Sequence, residues 1–143
     1  MEIFTIGHSN RSLEEFVSLL KRYGIKQIVD VRRFPTSKVV PHFKKEILKA
    51  ALEKNGIEYK HIERLGGYRK IGYKEYVKTK EFRSALRELI ELAEKKKTAI
   101  MCSEALWFKC HRRYIADELV KLGWIVKHII TKERVIKHRL NNN

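Results

Sequence analysis

The segment TAIMCSEALWFKCHRRYIADELVKLGWIVKHII, residues 98–130, holds two apolar runs separated by a polar loop and a helical pattern. The apolar runs, residues 98–102 and 124–130, have the length and composition of buried strands. Between them, residues 112–122 are predicted to form a helix that stops at Gly123. A strand, a helix and a strand in this order predict a βαβ unit with two parallel strands.

The rest of the chain repeats this alternation. Strands are predicted at residues 3–7, 25–31 and 57–62, and helices at residues 44–55, at 81–95 and after Ser12, where Glu15 completes a capping box. Residues 32–43 contain both prolines and are predicted to form a loop. The sequence therefore predicts one α/β domain over residues 1–143, a three-layer α/β/α fold with a mainly parallel sheet of about five strands. The tail from about residue 131 is expected to pack loosely.

The charge of the chain is strongly positive. Thirty-two Lys and Arg residues face seventeen Asp and Glu residues, which gives a net charge of +15. Abundant Lys and Glu with little Cys and Met are also typical of thermophilic proteins, but that pattern explains high charge better than an excess of one sign. The composition therefore predicts an anionic partner, either a nucleic acid or a phosphate-bearing small molecule.

Several classes of protein are disfavoured by the composition. The N-terminal residues lack the basic and apolar pattern of a secretory signal, and no apolar run approaches the roughly 18 residues of a membrane span. Two cysteines are too few for a disulfide scaffold. We therefore expect a cytoplasmic enzyme or binding domain without a membrane partner.

Ionisable residues cluster where the predicted strands end. His8 follows the first strand, Asp30 and Arg32 lie at the end of the second, and Glu104 follows the fourth. Because open parallel sheets bind ligands at their carboxyl edge, these side chains are expected to converge there. Asp30 and Glu104 are the best-placed carboxylates for acid/base or nucleophilic work. The alternatives are an ion pair or cap for Asp30 and a loop hydrogen bond for Glu104.

Both cysteines lie in this region as well. A thiolate at Cys102 is physically possible, but a packing role is favoured because cysteine is among the most buried residue types. Tyrosine phosphatases have an arginine at the sixth position after their cysteine, and here that position is Phe108. Cys102, Cys110 and His111 are a weak candidate metal site, because the close pairs typical of zinc sites are absent. No metal is predicted. His111 and Arg112 are instead expected to hold an anion at the start of the last helix.

Residues 66–80, GGYRKIGYKEYVKTK, form what we call the tyrosine segment. It interleaves Tyr68, Tyr73 and Tyr76 with basic residues, among them Arg69. Aromatic rings stack on bases and cations bind phosphates, so the segment is a candidate for nucleic-acid binding. The alternative is a solvated loop that its tyrosines anchor.

Five stretches together resemble one known family: TIGHSNRSLEEF, IVDVRRFPTSK, PHFKKEILKAAL, GIEYKHIERLGG and MCSEALWFKCHRRYIADEL. In this order they are similar to the family called domain of unknown function 488, over residues 4–128. The resemblance implies a compact α/β domain and brings no activity with it. It implies signature positions at His8, Ser9, Asp30, Arg32, Pro35, Ser37, Gly66, Gly67, Cys102, Glu104, Cys110, His111 and Arg112.

Two functional hypotheses follow. In the first, the protein is an enzyme acting on a phosphate-bearing substrate, a nucleotide or nucleic acid, at the carboxyl ends of the strands. In the second, it is a non-catalytic nucleic-acid-binding module. The predicted catalytic residues are Asp30, Glu104, His8 and His111. The predicted binding residues are Ser9, Arg32, Ser37, Arg112, Tyr68, Arg69 and Tyr73. The sequence indicates no particular cofactor and no oligomeric state.

Overall fold

The structure is a computed structural model that describes residues 1–37 and 39–140. Lys38, which belongs to the predicted proline-containing loop, and residues 141–143 of the predicted domain lie outside the described residues. Within the described residues, six strands form one sheet: β1 (Glu2–Gly7), β2 (Gln27–Asp30), β3 (Glu58–His61), β4 (Thr98–Cys102), β5 (Ile125–Thr131) and β6 (Arg134–Lys137). Five α-helices accompany it: α1 (Leu13–Arg22), α2 (Lys45–Lys54), α3 (Tyr73–Tyr76), α4 (Lys80–Lys95) and α5 (Arg112–Lys121).

The strand order in the sheet is β3-β2-β4-β1-β5-β6. All neighbours are parallel except β5 and β6, which are antiparallel. The prediction of an α/β fold with a mainly parallel sheet is confirmed. The sheet has six strands, whereas about five were predicted, and the additional strand is β6. It is a short edge strand on which only Ile136 is partly buried, so it lacks the apolar signal of the other strands.

Helices cover both faces of the sheet. On one face, Phe16 of α1 and Leu48 of α2 pack against strand residues such as Ile28. On the other face, Phe82 of α4 and Ile115 of α5 pack in a second apolar cluster. Neighbouring residues of one strand, Val29 and Ile28, belong to opposite clusters, as the alternation of side chains along a strand requires. The layers are therefore helix, sheet and helix.

Helix ends follow the predicted signals. Ser12 accepts a hydrogen bond from the backbone N–H of Glu15, whose carboxylate accepts one from the backbone of Ser12, so the predicted capping box is present. Gly24, the residue after the C-cap of α1, has a φ of 69°. That left-handed conformation favours glycine.

Among the helices of residues 1–37 and 39–140, none combines the length and the apolar character needed to cross a membrane.

The order of the strands places a crevice at the centre of the sheet. β1 and β4 are neighbours, but the chain leaves β1 through α1 toward β2 and leaves β4 through α5 toward β5 on the opposite face. The two connections thus run in opposite directions on opposite faces of the sheet, and at such a switch point ligands bind outside the carboxyl ends of the strands. Gly7, which ends β1, and Cys102, which ends β4, are paired in register at this point.

A buried chain of hydrogen bonds fixes β6 and α5 to the sheet. Asp117 accepts from Nε2 of His138 at 2.6 Å, and Nδ1 of His138 lies 2.9 Å from Nε2 of His128. Nδ1 of His128 lies 2.6 Å from Oγ1 of Thr5. Because a carboxylate can only accept, a neutral His138 ring donates to Asp117 and accepts from His128, which in turn accepts from the hydroxyl of Thr5. Burial lowers the pKa of His128 to about 3, so its ring is neutral in this chain.

This chain predicts a specific stability effect. His138→Ala removes the acceptor for the buried N–H of His128 and should cost about 1–3 kcal/mol of unfolding free energy, the penalty of an unsatisfied buried donor. Urea denaturation monitored by circular dichroism measures it. The exposed neighbour Arg139 provides the control, since Arg139→Ala should change stability by less than about 0.5 kcal/mol. Equal stability of the two variants would contradict the role given to His138.

Candidate active site

A cavity of about 970 Å³ opens at the carboxyl edge of the sheet. It lies between the loop after β2, the start of the tyrosine segment, and residues 103–111, which we call the cysteine loop. Of the predicted site residues, it brings together His8, Arg32, Ser37, Tyr68, Tyr73, Glu104 and His111. Cys102 and Cys110 also line it. Asp30, Ser9, Arg69 and Arg112 are not part of the lining.

Asp30 holds Arg32 in place. The carboxylate is fully buried and accepts from Nε of Arg32 at 2.9 Å and from Nη2 at 2.8 Å. The hydroxyl of Tyr59 donates to the same carboxylate at 2.5 Å. Burial opposes the charge of Arg32, but the hydrogen bonds and charge of Asp30 outweigh it and raise the pKa of the guanidinium. Asp30 thus forms an ion pair, which was the predicted alternative to a catalytic role.

His8 completes the support of Arg32. Its Nδ1 lies 2.7 Å from the carbonyl of Ser9, which can only accept, so the ring proton is on Nδ1. Nε2 then accepts from Nη1 of Arg32, 3.4 Å away. The ring stacks on Phe43, and burial lowers its pKa to about 4. A neutral His8 therefore orients the guanidinium, with both ring nitrogens already occupied.

Cys110 and His111 form a thiol–imidazole pair at the start of α5. Nε2 of His111 lies 2.7 Å from the carbonyl oxygen of Val31, so this nitrogen carries the proton. Nδ1 is left facing Sγ of Cys110 at 3.4 Å. The backbone N–H of Arg112, at the helix N-terminus, also points to this sulfur at 3.5 Å. A nucleophile, a base and a group that orients the base are the elements of an activated thiol.

The second cysteine strengthens this arrangement. Sγ of Cys102 lies 2.7 Å from Sγ of Cys110. The hydrogen bond from Cys102, followed by those involving His111 and the helix backbone, lowers the pKa of Cys110 well below its ordinary value despite burial. Cys102 is only 1% exposed, and burial raises its pKa. One proton is thus held on Cys102, and the negative charge is carried by Cys110.

Arg112 supports the cysteine loop from below the cavity. Its guanidinium is 1% exposed and donates to the carbonyl of Glu104 at 2.7 Å and to Oγ1 of Thr5 at 3.0 Å. Arg112 was predicted to bind an anion. Its guanidinium instead points away from the cavity and toward the sheet, where it donates to Thr5 of β1.

The tyrosine segment is tied to the domain. The hydroxyl of Tyr73 donates to the carbonyl of Leu65 at 2.7 Å, and that of Tyr76 donates to the carbonyl of Arg64 at 2.6 Å. Arg69 donates to the carbonyl of Gly66 and lies over the ring of Tyr76. These contacts correspond to the alternative of an anchored loop. Tyr68, in contrast, is 85% exposed at the cavity rim, where its ring faces that of Phe34.

The remaining predicted binding residues have local roles. Oγ of Ser37 accepts from the backbone N–H of Val40 at 2.8 Å, which closes a turn at the cavity rim. Ser9 has a φ of 49°, and its carbonyl accepts from His8. In the part of the chain that the structure describes, no group of three His, Cys, Asp or Glu side chains is arranged to hold a metal ion.

The cavity is positively charged. Among the described residues that line it, Arg32, Arg33, Lys109 and Arg113 are cationic, and Glu104 is the one carboxylate. Glu104 lies on the exposed part of the cysteine loop and accepts from the backbone N–H of Leu106 at 3.0 Å. A thiolate nucleophile beside several cations suits a substrate that carries negative charge.

The family of the chain follows from its sequence. Residues 12–119 match the model of a family described as Domain of unknown function DUF488. The chain belongs to the DUF488 family. No curated protein and no solved structure matches it. The resemblance predicted from five stretches of sequence is thereby confirmed, and the matched part of the DUF488 protein includes Asp30, Arg32 and the whole cysteine loop.

The Cys110–His111 thiol–imidazole pair was not predicted. The two residues were joined only as weak candidate metal ligands with Cys102, and His111 was also a predicted anion ligand or catalytic residue. The available signal was a cysteine two residues before a predicted helix, because a helix N-terminus stabilises a thiolate. Phe34 was also missed as a rim residue, since an exposed phenylalanine in a loop gives no recognisable pattern.

The Asp30–Arg32 pair gives a second prediction. Asp30→Asn leaves the guanidinium of Arg32 buried without its counter-charge and should cost about 3–5 kcal/mol of unfolding free energy. The double variant Asp30→Asn/Arg32→Met removes both charges and should recover most of that loss. Thermal and urea unfolding of the three proteins measure it. A double variant no more stable than Asp30→Asn would argue against the ion pair as the function of Asp30.

The lowered pKa of Cys110 gives a third prediction. A thiol with a lowered pKa stays ionised as the pH falls, so iodoacetamide should alkylate Cys110 nearly as fast at pH 6 as at pH 8. An ordinary thiol with a pKa of about 8.5 would slow roughly 75-fold over that range. Mass mapping of the two cysteine-containing peptides gives the rates separately. Cys102→Ala removes the main hydrogen bond to Cys110 and should restore much of the ordinary pH dependence.

Proposed function

We propose that this DUF488 protein is an enzyme that cleaves a phosphate ester in a nucleotide or nucleic acid, with the thiolate of Cys110 as its nucleophile. The observation that carries the proposal is the Cys110–His111 pair, oriented by the carbonyl of Val31 and open to a cationic cavity. The exposed rings of Phe34 and Tyr68 at the rim support a substrate with a stacking base.

The geometry supports a two-step reaction. In the first step, Cys110 attacks phosphorus, a P–S bond forms and the P–O bond to the leaving group breaks. The proton that Cys110 has lost is held on Nδ1 of His111, which donates it to the leaving oxygen. In the second step, water attacks phosphorus with Glu104 as the base, and the P–S bond breaks. Arg32 balances the charge of the phosphoryl oxygens in both steps.

The roles of the other predicted catalytic residues are indirect in this proposal. Asp30 and His8 are positioning residues, because both contact Arg32, Asp30 is buried outside the cavity lining, and both ring nitrogens of His8 are already occupied. Arg112 is a positioning residue for the cysteine loop, through the carbonyl of Glu104. Cys110, His111, Glu104 and Arg32 are then the catalytic residues.

The alternative is a non-catalytic nucleic-acid-binding module. The net charge of +15 and the exposed rim rings support this alternative equally, since neither requires chemistry. The two hypotheses differ in the fate of a bound phosphate ester, so one experiment on Cys110 and Glu104 separates them.

The fourth prediction tests the enzyme hypothesis. Wild-type protein is incubated with nucleoside monophosphates and with 5′-phosphorylated single-stranded oligonucleotides, and phosphate release is measured. Acid-quenched samples are examined by mass spectrometry for a phosphoryl group on Cys110. Cys110→Ser should lower turnover at least about 10³-fold, and Glu104→Gln by about 10²–10³-fold with oligonucleotide binding retained.

The controls decide between the hypotheses. Ser84→Ala changes a hydroxyl on α4 that bonds to Arg64, away from the cavity, and should leave turnover unchanged. Binding of the oligonucleotides by wild-type protein with neither phosphate release nor phosphorylated Cys110 would reject the enzyme hypothesis for these substrates. Turnover by Cys110→Ser at the wild-type rate would reject Cys110 as the nucleophile.

A further inference from the structure

We propose that Cys102 and Cys110 are a redox-active pair, which a peroxide converts into a reversible intramolecular disulfide. The two sulfur atoms lie 2.7 Å apart, although the cysteines are eight residues apart in the sequence. A disulfide bond is about 2.05 Å long, so the sulfurs need to approach by only about 0.7 Å. Both thiols are free in the structure.

The contact arises from the shape of the cysteine loop. β4 ends at Cys102, a short 3₁₀ turn forms at Trp107–Lys109, and α5 begins at Arg112. The turn brings the chain back over the end of β4, and Arg112 holds the returning segment through the carbonyl of Glu104. The backbone therefore positions each thiol, since Cys102 ends β4 and Cys110 lies in the loop that returns over it. Closing the bond requires no rearrangement of the sheet.

The two cysteines differ in exposure, and this assigns their order of reaction. Cys110 is partly exposed to the cavity and is the ionised partner, whereas Cys102 is 1% exposed. A thiolate is the form of cysteine that attacks a peroxide. A small neutral peroxide can enter the cavity that both cysteines line. Cys110 is therefore the attacking cysteine and Cys102 the resolving one.

The reaction balances in two steps. The Cys110 thiolate attacks one peroxide oxygen; an S–O bond forms, the O–O bond breaks, and hydroxide or alkoxide leaves and is protonated. Cys102 then attacks the sulfur of the resulting sulfenic acid; an S–S bond forms, the S–O bond breaks, and the thiol proton of Cys102 leaves with the hydroxyl group as water. The two sulfurs lose two electrons, and the peroxide gains them. A dithiol reverses the bond by exchange.

The consequence for the site rests on the proposed function, although formation of the disulfide does not. A disulfide removes the thiolate of Cys110, which is the proposed nucleophile. Oxidation would then stop phosphate-ester cleavage while leaving the cationic residues and the cavity in place. Substrate binding would persist, and activity would return with reduction.

The test uses the full chain, whose only cysteines are these two. Wild-type protein is treated with hydrogen peroxide, quenched with catalase, unfolded and alkylated, and its intact mass is measured. We expect a monomer that has lost two hydrogen atoms and takes up no alkyl group, at a rate independent of protein concentration. Treatment with dithiothreitol should restore two alkylation sites.

Two variants establish the order of reaction. Cys102→Ser should leave Cys110 as a sulfenic acid that dimedone traps and that further peroxide oxidises. Cys110→Ser should consume peroxide at least about tenfold more slowly, because Cys102 is buried and protonated. Wild-type protein that gives sulfinic acid on Cys110, an intermolecular disulfide or no oxidation would overturn the proposal. These outcomes can be read on wild-type protein even where a variant fails to fold.

The two proposals can fail separately. A disulfide that forms in a protein with neither phosphate release nor phosphorylated Cys110 rejects the proposed function and leaves the redox pair intact. Turnover by Cys110 in a protein that forms no disulfide does the reverse.

Discussion

The close approach of Gly7 to the carbonyl of Glu104 is the contact on which the candidate site depends. A Cβ atom on residue 7 would lie 1.9 Å from that oxygen, so only glycine allows β1 and the cysteine loop to meet. Beyond the sheet, the backbone N–H of His8 donates to the carbonyl of Cys102 at 2.8 Å, and that of Ser9 donates to the carbonyl of Ser103 at 2.9 Å. These bonds extend the pairing of β1 and β4 past the last residues of both strands. The crevice at the centre of the sheet is thereby closed at its base, and the cavity lies above it.

The same carbonyl links the site to the interior of the domain. The carbonyl of Glu104 accepts a hydrogen bond from Nη2 of Arg112, and Nη1 of the same guanidinium donates to Oγ1 of Thr5. Thr5 in turn begins the buried chain through His128 and His138. Trp107 of the cysteine loop stacks on the ring of His128, with centroids 4.3 Å apart. The cysteine loop, which follows Cys102 and carries Cys110, is thus attached to strands β1 and β5 by side chains, which gives a long loop the fixed geometry that chemistry requires.

Much of the fold could be predicted because its strands are apolar and its helices are amphipathic and capped. The apolar pattern of such elements can be read from a short stretch of sequence, so strands β1 to β5 were predicted. β6 was not, since its contribution is a buried histidine after the strand, His138, rather than an apolar run. The site was predictable only as a set of strand ends. Which end residues face the cavity depends on contacts that spacing does not reveal, such as the turn that folds Arg32 back onto Asp30. The proximity of Cys102 and Cys110 likewise depends on a 3₁₀ turn at Trp107–Lys109, which has no clear pattern in the sequence.

Hydrogen-bond direction then limits where a proton can move in the cavity. The carbonyl of Ser9 fixes the proton of His8 on Nδ1, and Arg32 occupies its other nitrogen. The carbonyl of Val31 fixes the proton of His111 on Nε2, which leaves Nδ1 as a vacant acceptor beside a sulfur. Among the described residues that line the cavity, the two histidines, His8 after β1 and His111 at the start of α5, therefore have different capacities. His8 can only orient a cation, whereas His111 can exchange a proton with Cys110, and the difference comes from backbone carbonyls and not from the histidines themselves.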